Sequence, residues 1–257
     1  MSKRVTFFGT GTSSGIPTIG CPCDVCNSTD ERDKRLRSSI LIQSETTTIL
    51  IDTSPDLRQQ MLKHNITKVD AILYTHHHFD HIGGFDDIRA FNYTSRKPVP
   101  IYLMQKTLDS IKRTFFYAFE ELEQLGGGIP VVNVNIIDEV NKITIGDIEI
   151  IPIPLLHGKM NVLGFRVDDF AYCTDTNYIP ENSLTLLNNL DILVLDALRY
   201  TKHETHFSLN EAIETAQKIN AKTTYFTHMA HEIKHSECEQ KLPQNIRLAY
   251  DGLVLNY

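Results

Sequence analysis

The order of apolar runs along the 257-residue chain predicts an α/β (α+β) fold. Short β-branched runs that end in Gly, Ser, Asp or Thr are typical of strands that close into turns. Segments of helical pattern separate these runs in both halves of the chain. This interleaving favours two mixed β-sheets packed face to face with helices outside them. No repeat or linker divides the sequence, so we predict a single domain over residues 1–257.

The elements follow in order from this pattern. Predicted strands lie at 5–8, 40–42, 49–51, 70–74, 131–137, 143–153, 162–167, 171–174, 192–195, 223–227 and 247–255. Predicted helices lie at 55–64, 82–93, 107–123, 183–189 and 209–219. Pro55 suits a helix start, where its missing N–H is not needed. The aromatic residues of the third helix are consistent with core packing or with a homodimer surface: Phe115, Phe116, Tyr117 and Phe119.

Composition limits the classes of partner. The chain is 41% hydrophobic and 22% charged, which is typical of a globular protein with a real core. Its net charge of -7 argues against nucleic acid, since phosphate backbones are bound by clustered Lys and Arg. A small phosphorylated substrate stays compatible, because bound metals can supply positive charge locally. No apolar stretch predicts a membrane span or a signal peptide, so we expect a cytoplasmic protein.

A histidine-rich segment, Thr75-His76-His77-His78-Phe79-Asp80-His81, follows the strand at 70–74. Imidazole nitrogens and carboxylate oxygens are the ligands that Zn²⁺, Mn²⁺ and Fe²⁺ favour. In an extended strand end His76 and His78 point the same way, and a turn would bring Asp80 and His81 to a second metal. A surface His-rich loop is the plainer alternative. Three further residues at predicted strand ends could complete a two-metal site: His157, Asp175 and His228.

Three cysteines are clustered as Cys21, Cys23 and Cys26, whereas Cys173 and Cys238 stand alone. In a reducing compartment such a cluster indicates metal binding more than disulfides. The alternative is a surface loop of reduced cysteines.

The segment from His76 to His81 is similar to the His-x-His-x-Asp-His signature of the metallo-β-lactamase superfamily. The resemblance covers nearly the whole chain and implies an αβ/βα four-layer sandwich with metals at one edge between the sheets. It implies that His76, His78 and His157 hold one metal and that Asp80, His81 and His228 hold the other. Asp175 would bridge the two. The residue types suit Mn²⁺ or Zn²⁺.

The glycine-rich segment 9–17, followed by the cysteine cluster, resembles the PhnP branch of that superfamily. This branch contains cyclic ribose-phosphate phosphodiesterases with a separate structural zinc. The resemblance implies that Cys21, Cys23, Cys26 and His231 hold this zinc. Three thiolates and one imidazole fill a tetrahedral zinc and leave no open position. The loop itself is either a plain turn or a phosphate contact through the hydroxyls of Thr12, Ser13 or Ser14.

The resulting hypothesis is a dinuclear phosphodiesterase in which a bridging hydroxide attacks phosphorus and Asp80 orients it. His206 is the candidate proton donor to the leaving group, with His203 as the weaker rival. His206 could instead be a surface or capping residue. Asp196 could orient a ligand histidine or cap a turn.

Three other functions stay open from the residues alone. A tRNA 3′-processing endonuclease shares the metal loop, but the chain has neither a basic insertion nor a positive net charge. A thioester or lactam hydrolase is also compatible, because the same nucleophile attacks carbonyls. A metal-binding accessory protein without catalysis is the alternative outside the enzymes.

Overall fold

The computed structural model describes residues 2–120 and 128–257, and two seven-stranded β-sheets form its centre. The first sheet has the order β14-β1-β2-β3-β4-β5-β6. Its strands are β1 (Arg4–Gly9), β2 (Ser39–Gln43), β3 (Thr48–Ile51), β4 (Ala71–Leu73), β5 (Val99–Leu103), β6 (Val132–Ile136) and β14 (Val254–Asn256). Strands β3 to β6 run parallel to one another, while β1, β2 and β14 pair antiparallel.

The second sheet has the order β13-β12-β11-β10-β9-β8-β7. Its strands are β7 (Ile143–Ile145), β8 (Ile148–His157), β9 (Met160–Val167), β10 (Phe170–Cys173), β11 (Ile192–Asp196), β12 (Thr223–Thr227) and β13 (Ile246–Leu248). Strands β10 to β13 are parallel, and β7 to β10 are joined antiparallel. Both sheets are therefore mixed, as predicted.

Helices cover the outer faces of both sheets. Helices α1 (Leu57–Lys63), α2 (Phe79–Ile82), α3 (Arg89–Ser95) and α4 (Gln105–Thr114) belong to the first half of the chain. Helices α5 (Glu181–Leu186), α6 (Leu209–Ile219) and α7 (His235–Glu239) belong to the second half. The predicted four-layer sandwich is confirmed.

Alternation along the strands builds the layers. In β2, Ile40 and Ile42 join the core between the sheets, whereas Leu41 packs under the helices of the first sheet. In β11, Val194 faces the inter-sheet core and Leu195 faces α6. Successive side chains of a strand point to opposite faces, so a continuous apolar run covers both faces of a buried strand.

Two predicted elements of the first half differ from the structure. The helix predicted at 82–93 is broken, because α2 ends at Ile82 and α3 begins only at Arg89. A Cβ on Gly84 would lie 2.2 Å from the carbonyl oxygen of Ser54, so this close approach requires glycine. The helix predicted at 107–123 is α4 followed by a short 3₁₀ turn, and residues 121–127 lie outside the described residues.

Each of two long strands predicted in the second half corresponds to two separate strands in the structure. The run at 143–153 is the hairpin of β7 and β8, which turns at Gly146 with φ of 57°. The run at 247–255 contains β13 and β14, which belong to different sheets. Gly252, with φ of 98°, lies in the turn that separates them. The sequence pattern also missed β5, whose residues are apolar and bounded by Pro98.

Candidate metal centre

The residues of the metal loop and the three strand ends meet between the sheets. His76 follows β4, His157 ends β8, Asp175 follows β10 and His228 follows β12. Asp80 and His81 lie in the short helix α2. Parallel strands end at one edge of a sheet, so residues distant in sequence come together there. Two groups of side chains each bring their ligand atoms within 4.8 Å: His76, His78, His157 and Asp175, and then Asp80, His81, Asp175 and His228.

Asp175 belongs to both groups, and its two oxygens face different histidines. Oδ2 lies 3.8 Å from His76 Nε2. Oδ1 lies 3.2 Å from His81 Nε2 and 3.2 Å from His228 Nδ1. Asp80 Oδ2 lies 3.2 Å from His81 Nε2 on the other side. A carboxylate with its oxygens divided in this way is suited to bridge two cations.

Hydrogen bonding assigns the tautomers of His76 and His81. Asp52 accepts from the hydroxyl of Thr75 at 2.8 Å, so that hydroxyl can only accept from His76 Nδ1 at 3.0 Å. Asp52 also accepts from His81 Nδ1 at 2.8 Å. Both Nδ1 atoms therefore carry hydrogen. The Nε2 atoms of His76 and His81 are buried and have no hydrogen-bond partner among the described residues. Buried nitrogens left in this state fit metal ligation.

Hydrogen bonds at Nδ1 also assign the tautomers of the other two buried ligand imidazoles, His157 and His228. His157 Nδ1 donates to the carbonyl oxygen of Thr205 at 2.7 Å. The hydroxyl of Ser38 donates to Gly11 O and therefore accepts from His228 Nδ1 at 3.1 Å. In each case Nε2 keeps its lone pair for a metal.

Backbone strain marks the turns that present these groups. Asp52, Asp175 and His228 have φ of 63°, 53° and 58°, in the left-handed region that favours glycine. Each such residue costs on the order of 1–3 kcal/mol and persists only where the surroundings impose it. All three follow a buried strand at the edge where the ligand groups meet.

The charged groups of the centre strongly affect one another's pKa values. Burial opposes ionisation of Asp175, but His228 and His81 outweigh it and hold the pKa of this carboxyl well below its usual range. Burial likewise opposes protonation of His81, whereas Asp175, Asp80 and Asp52 raise its pKa well above the ordinary value. The carboxylates thus form an anionic cradle that suits cations.

His206 lies beside both ligand groups. Its ring centroid is 4.5 Å from that of His157 and 4.9 Å from that of His228. Its Nδ1 lies 2.8 Å from Asp196 Oδ2, which also accepts from Thr176 N. Burial lowers the pKa of His206 and Asp196 raises it by more, to about 9. Among the described residues Asp196 therefore binds the imidazole of His206 and none of the ligand imidazoles, and it leaves Nε2 of His206 free to act.

Four other residues were predicted to contact substrate or donate a proton, and the structure gives the position of each. Thr12 Oγ1 lies 3.4 Å from His228 Nε2, so Thr12 borders the centre. Ser13 and Ser14 are exposed, and Ser14 Oγ hydrogen-bonds Gly15 O. The ring of His203 is 5.2 Å from His206, but its Nδ1 accepts from Thr205.

Cys21, Cys23, Cys26 and His231 form a separate group, here called the cysteine clasp. The three sulfurs lie 3.1, 3.4 and 3.7 Å from His231 Nδ1. The backbone N–H of Cys26 donates to the sulfur of Cys23 and, with the other thiols, lowers the pKa of Cys23 to about 6. A lowered thiol pKa favours the thiolate, which is the form that binds zinc.

Four residues that support the ligands were not found from the sequence: Asp52, Thr75, Ser38 and Thr205. Asp52 offered a signal, since it ends a buried strand as Asp175 does. Ser38 and Thr205 offered none, because their contacts span 190 and 48 residues. No helix of the described residues is long and apolar enough to span a membrane.

The family model of the β-lactamase superfamily domain matches residues 47–229. The chain belongs to the metallo-β-lactamase superfamily. A solved structure of a diphosphatase from the PhnP family has a TM-score of 0.93 and 42% identity, covering 100% of this chain and 98% of that one. The chain is thus PhnP-like and a metal-dependent hydrolase. Its fold and both ligand groups support the use of divalent metals.

Two curated proteins are also similar. An octanoyltransferase of Porphyromonas gingivalis (strain ATCC BAA-308 / W83) is 36% identical over 253 residues, which is 97% of this chain and 51% of that protein. The chain therefore spans about half the length of that relative. The anti-Pycsar protein Apyc1 of Paenibacillus sp. (strain J14) is 24% identical over 200 residues, 73% of this chain and 80% of that protein.

Proposed function

We propose that this hydrolase cleaves a small phosphodiester, with a cyclic ribose phosphate as the substrate class. The observation that carries the proposal is the pair of ligand groups that share Asp175, with His206 beside them. The likeness to a PhnP-family diphosphatase supports phosphoester chemistry. The net charge of -7 favours a small substrate over nucleic acid.

The first ligand group would hold one divalent cation and the second group the other, with Mn²⁺ or Zn²⁺ suited to both. The buried Nε2 atoms of His76 and His81 supply the donor set that such ions need. When bound, the cations lower the pKa of a coordinated water to about 7 and so supply a nucleophile at neutral pH. Asp80 belongs to the second group, where its Oδ2 lies 3.2 Å from His81 Nε2, and it would orient that nucleophile.

His206 would donate a proton from Nε2 to the leaving oxygen. Asp196 holds Nδ1 at 2.8 Å, which fixes the ring plane and leaves Nε2 directed at the centre. A positioned general acid of this kind contributes typically 10²–10⁴-fold. The 8% exposure of His206 keeps competing water away from the ring.

The cysteine clasp would hold a structural zinc. All four ligand positions would be filled by protein, which leaves no place for substrate. His231 lies three residues beyond His228, so the bound zinc would brace the loop that presents a catalytic ligand. Arg35 supports the same loop by donating to Ile233 O at 2.7 Å.

A second candidate is hydrolysis of an acyl thioester, which attack by the same nucleophile allows. One observation favours it: the Porphyromonas relative bears the name of an octanoyltransferase. Because this chain covers half of that relative, the acyl chemistry could lie in the other half.

The test is to remove bound metals with a chelator, reload with Mn²⁺, and confirm the metal content. Turnover is then measured with bis(p-nitrophenyl) phosphate, a ribose cyclic phosphate, an octanoyl thioester and a tRNA precursor that carries a 3′ trailer. His206→Ala is compared with His203→Ala, a matched control because the two histidines are neighbours. Phosphodiester turnover that is lost on chelation and falls at least 100-fold only in His206→Ala would support the proposal.

Other outcomes would overturn it. Turnover of the thioester alone would select the second candidate, and cleavage of a tRNA 3′ trailer alone would select a processing endonuclease. No turnover by protein with filled metal sites would leave a metal-binding accessory protein.

A further inference from the structure

Strand β6 (Val132–Ile136) forms one edge of the first sheet. It pairs in parallel with β5 on one side, and within residues 2–120 and 128–257 no strand pairs with its other side. Edge strands of folded proteins present a row of backbone groups that can pair with another chain.

The register shows which residues present these groups. Val99 N donates to Val131 O, and Ile137 N donates to Leu103 O. The odd-numbered residues of the strand therefore bond to β5. Backbone direction alternates along a strand, so the N–H and C=O groups of Val132, Val134 and Ile136 point away from the sheet.

Strand β6 itself carries none of the side chains that usually protect an edge. Residues 131–137 read Val-Val-Asn-Val-Asn-Ile-Ile and contain no charge and no proline. Natural edges are normally blunted by lysine, proline, a bulge or a covering segment. Val131 and Ile136 are 47% and 50% exposed, although both are large apolar residues.

The strand is also close to palindromic. Around Val134 the sequence has an asparagine on each side and then an aliphatic residue on each side: Val132, Asn133, Asn135 and Ile136. A strand with this symmetry is complementary to an antiparallel copy of itself. The chain carries a net charge of -7, so an uncharged segment is where two copies meet with least repulsion.

We propose that two copies of this chain associate through β6, antiparallel, about a two-fold axis at Val134. Val134 would exchange both backbone hydrogen bonds with Val134 of the second copy, and Val132 would do so with Ile136. Asn133 would lie opposite Asn135 on the other face. The two first sheets would thereby become one continuous sheet across the dimer, in a self-complementary interface of the commonest kind.

Side chains agree with this arrangement. Val132 and Val134 pack against the core under the helices of the first sheet. Pairing would extend that apolar strip across the axis, since Ile136 lies on the same face of the strand. The interface leaves the ligand groups untouched, so it is independent of the proposed function.

Association is measured by sedimentation of the metal-loaded full chain between about 1 and 200 μM, followed by residue-resolved amide exchange. We expect a dimer, with the N–H groups of Val132, Val134 and Ile136 protected only at high concentration. The N–H groups of Asn133 and Asn135 already bond to β5, so their protection should not depend on concentration. Pairing through any other surface would not produce this alternation.

A charge test checks the register. In the proposed dimer the two Asn133 side chains are diagonal neighbours, roughly 7–8 Å apart. Asn133→Lys and Asn133→Asp should each raise the dimer dissociation constant about threefold to tenfold at low salt. An equimolar mixture should recover a Lys–Asp heterodimer at least as stable as the parent. Asn182→Lys, at an exposed position of α5, is the matched control and should leave association unchanged.

A chain that stays monomeric throughout this range would overturn the proposal. The proposal would also be overturned by a dimer whose dissociation constant does not change with the charge at position 133. Concentration-dependent amide protection at residues outside β6 would overturn it as well. Because Asn133 is exposed on an edge, its substitution should not prevent folding, which the circular dichroism of each variant checks.

Discussion

Asp52 Oδ2 lies 2.8 Å from Nδ1 of His81, although the two residues are 29 positions apart. The same carboxylate binds the backbone N–H and the hydroxyl of Thr75. Through these contacts it assigns the tautomers of both His76 and His81. One buried carboxylate thus orients an imidazole in each ligand group.

Replacement of Asp52 by Asn should weaken both metal sites. The amide cannot accept from His81 and Thr75 as the carboxylate does, so each Nε2 would be less well oriented and less basic. We expect metal affinity to fall about 10–100-fold, measured by competition with a chromophoric chelator. Asp70→Asn, at a carboxylate that binds Thr48 N and Lys68 and lies outside the ligand groups, is the control. Unchanged affinity in Asp52→Asn would refute this role.

Replacement of Asp196 by Asn should lower kcat without removing metal. Asp196 binds His206 and Thr176 but none of the ligand imidazoles. We expect kcat for bis(p-nitrophenyl) phosphate to fall about 10–100-fold at full metal content, less than in His206→Ala. A loss of activity that follows a loss of metal would instead assign Asp196 to the metal centre.

Replacement of Cys26 by Ser should remove one metal ion per chain. Cys26 is a buried member of the cysteine clasp, and serine is a poor zinc ligand. We expect the metal content to fall from three ions to two, with a Tm lower by at least about 5 °C. Cys238→Ser, at a buried cysteine outside the clasp, should keep three ions. Equal metal contents in the two variants would contradict a zinc site in the clasp.

Asp251 should make stability depend on pH. Burial raises its pKa to about 7, whereas an unfolded Asp has a pKa of about 3.9. Between these values the folded chain holds a proton that the unfolded chain lacks, so stability falls as pH rises. The carboxyl accepts from Thr10 Oγ1 and Leu36 N. An amide can keep both contacts by accepting from Leu36 N and donating to the hydroxyl of Thr10, which can act as an acceptor.

The stability of Asp251→Asn relative to that of the parent chain should therefore increase as pH rises. The difference in the free energy of unfolding should grow by about 2 kcal/mol between pH 5.5 and pH 8, as measured by urea titration. Above pH 8 the difference should stay constant. A difference that is equal at pH 5.5 and pH 8 would show that Asp251 has an ordinary pKa.

The fold class follows from local pattern because a strand buried on both faces has a continuous apolar sequence. Runs such as Ile49-Leu50-Ile51 are apolar throughout only when sheet and helices cover opposite faces. The ligand types are equally local, since imidazoles and carboxylates are crowded between His76 and His81. The breaks in the elements were harder to predict, because Gly84 owes its position to the Ser54 carbonyl across the loop.

Tertiary structure alone decided how the ligands are held. Which nitrogen of each histidine faces a metal depends on partners such as Ser38, which is 190 residues from His228. The division of residues 247–255 between β13 and β14 likewise depends on tertiary structure, because the two strands pair in different sheets. Local pattern reports burial and residue chemistry, whereas hydrogen-bond direction is set by groups that only folding brings within 3 Å.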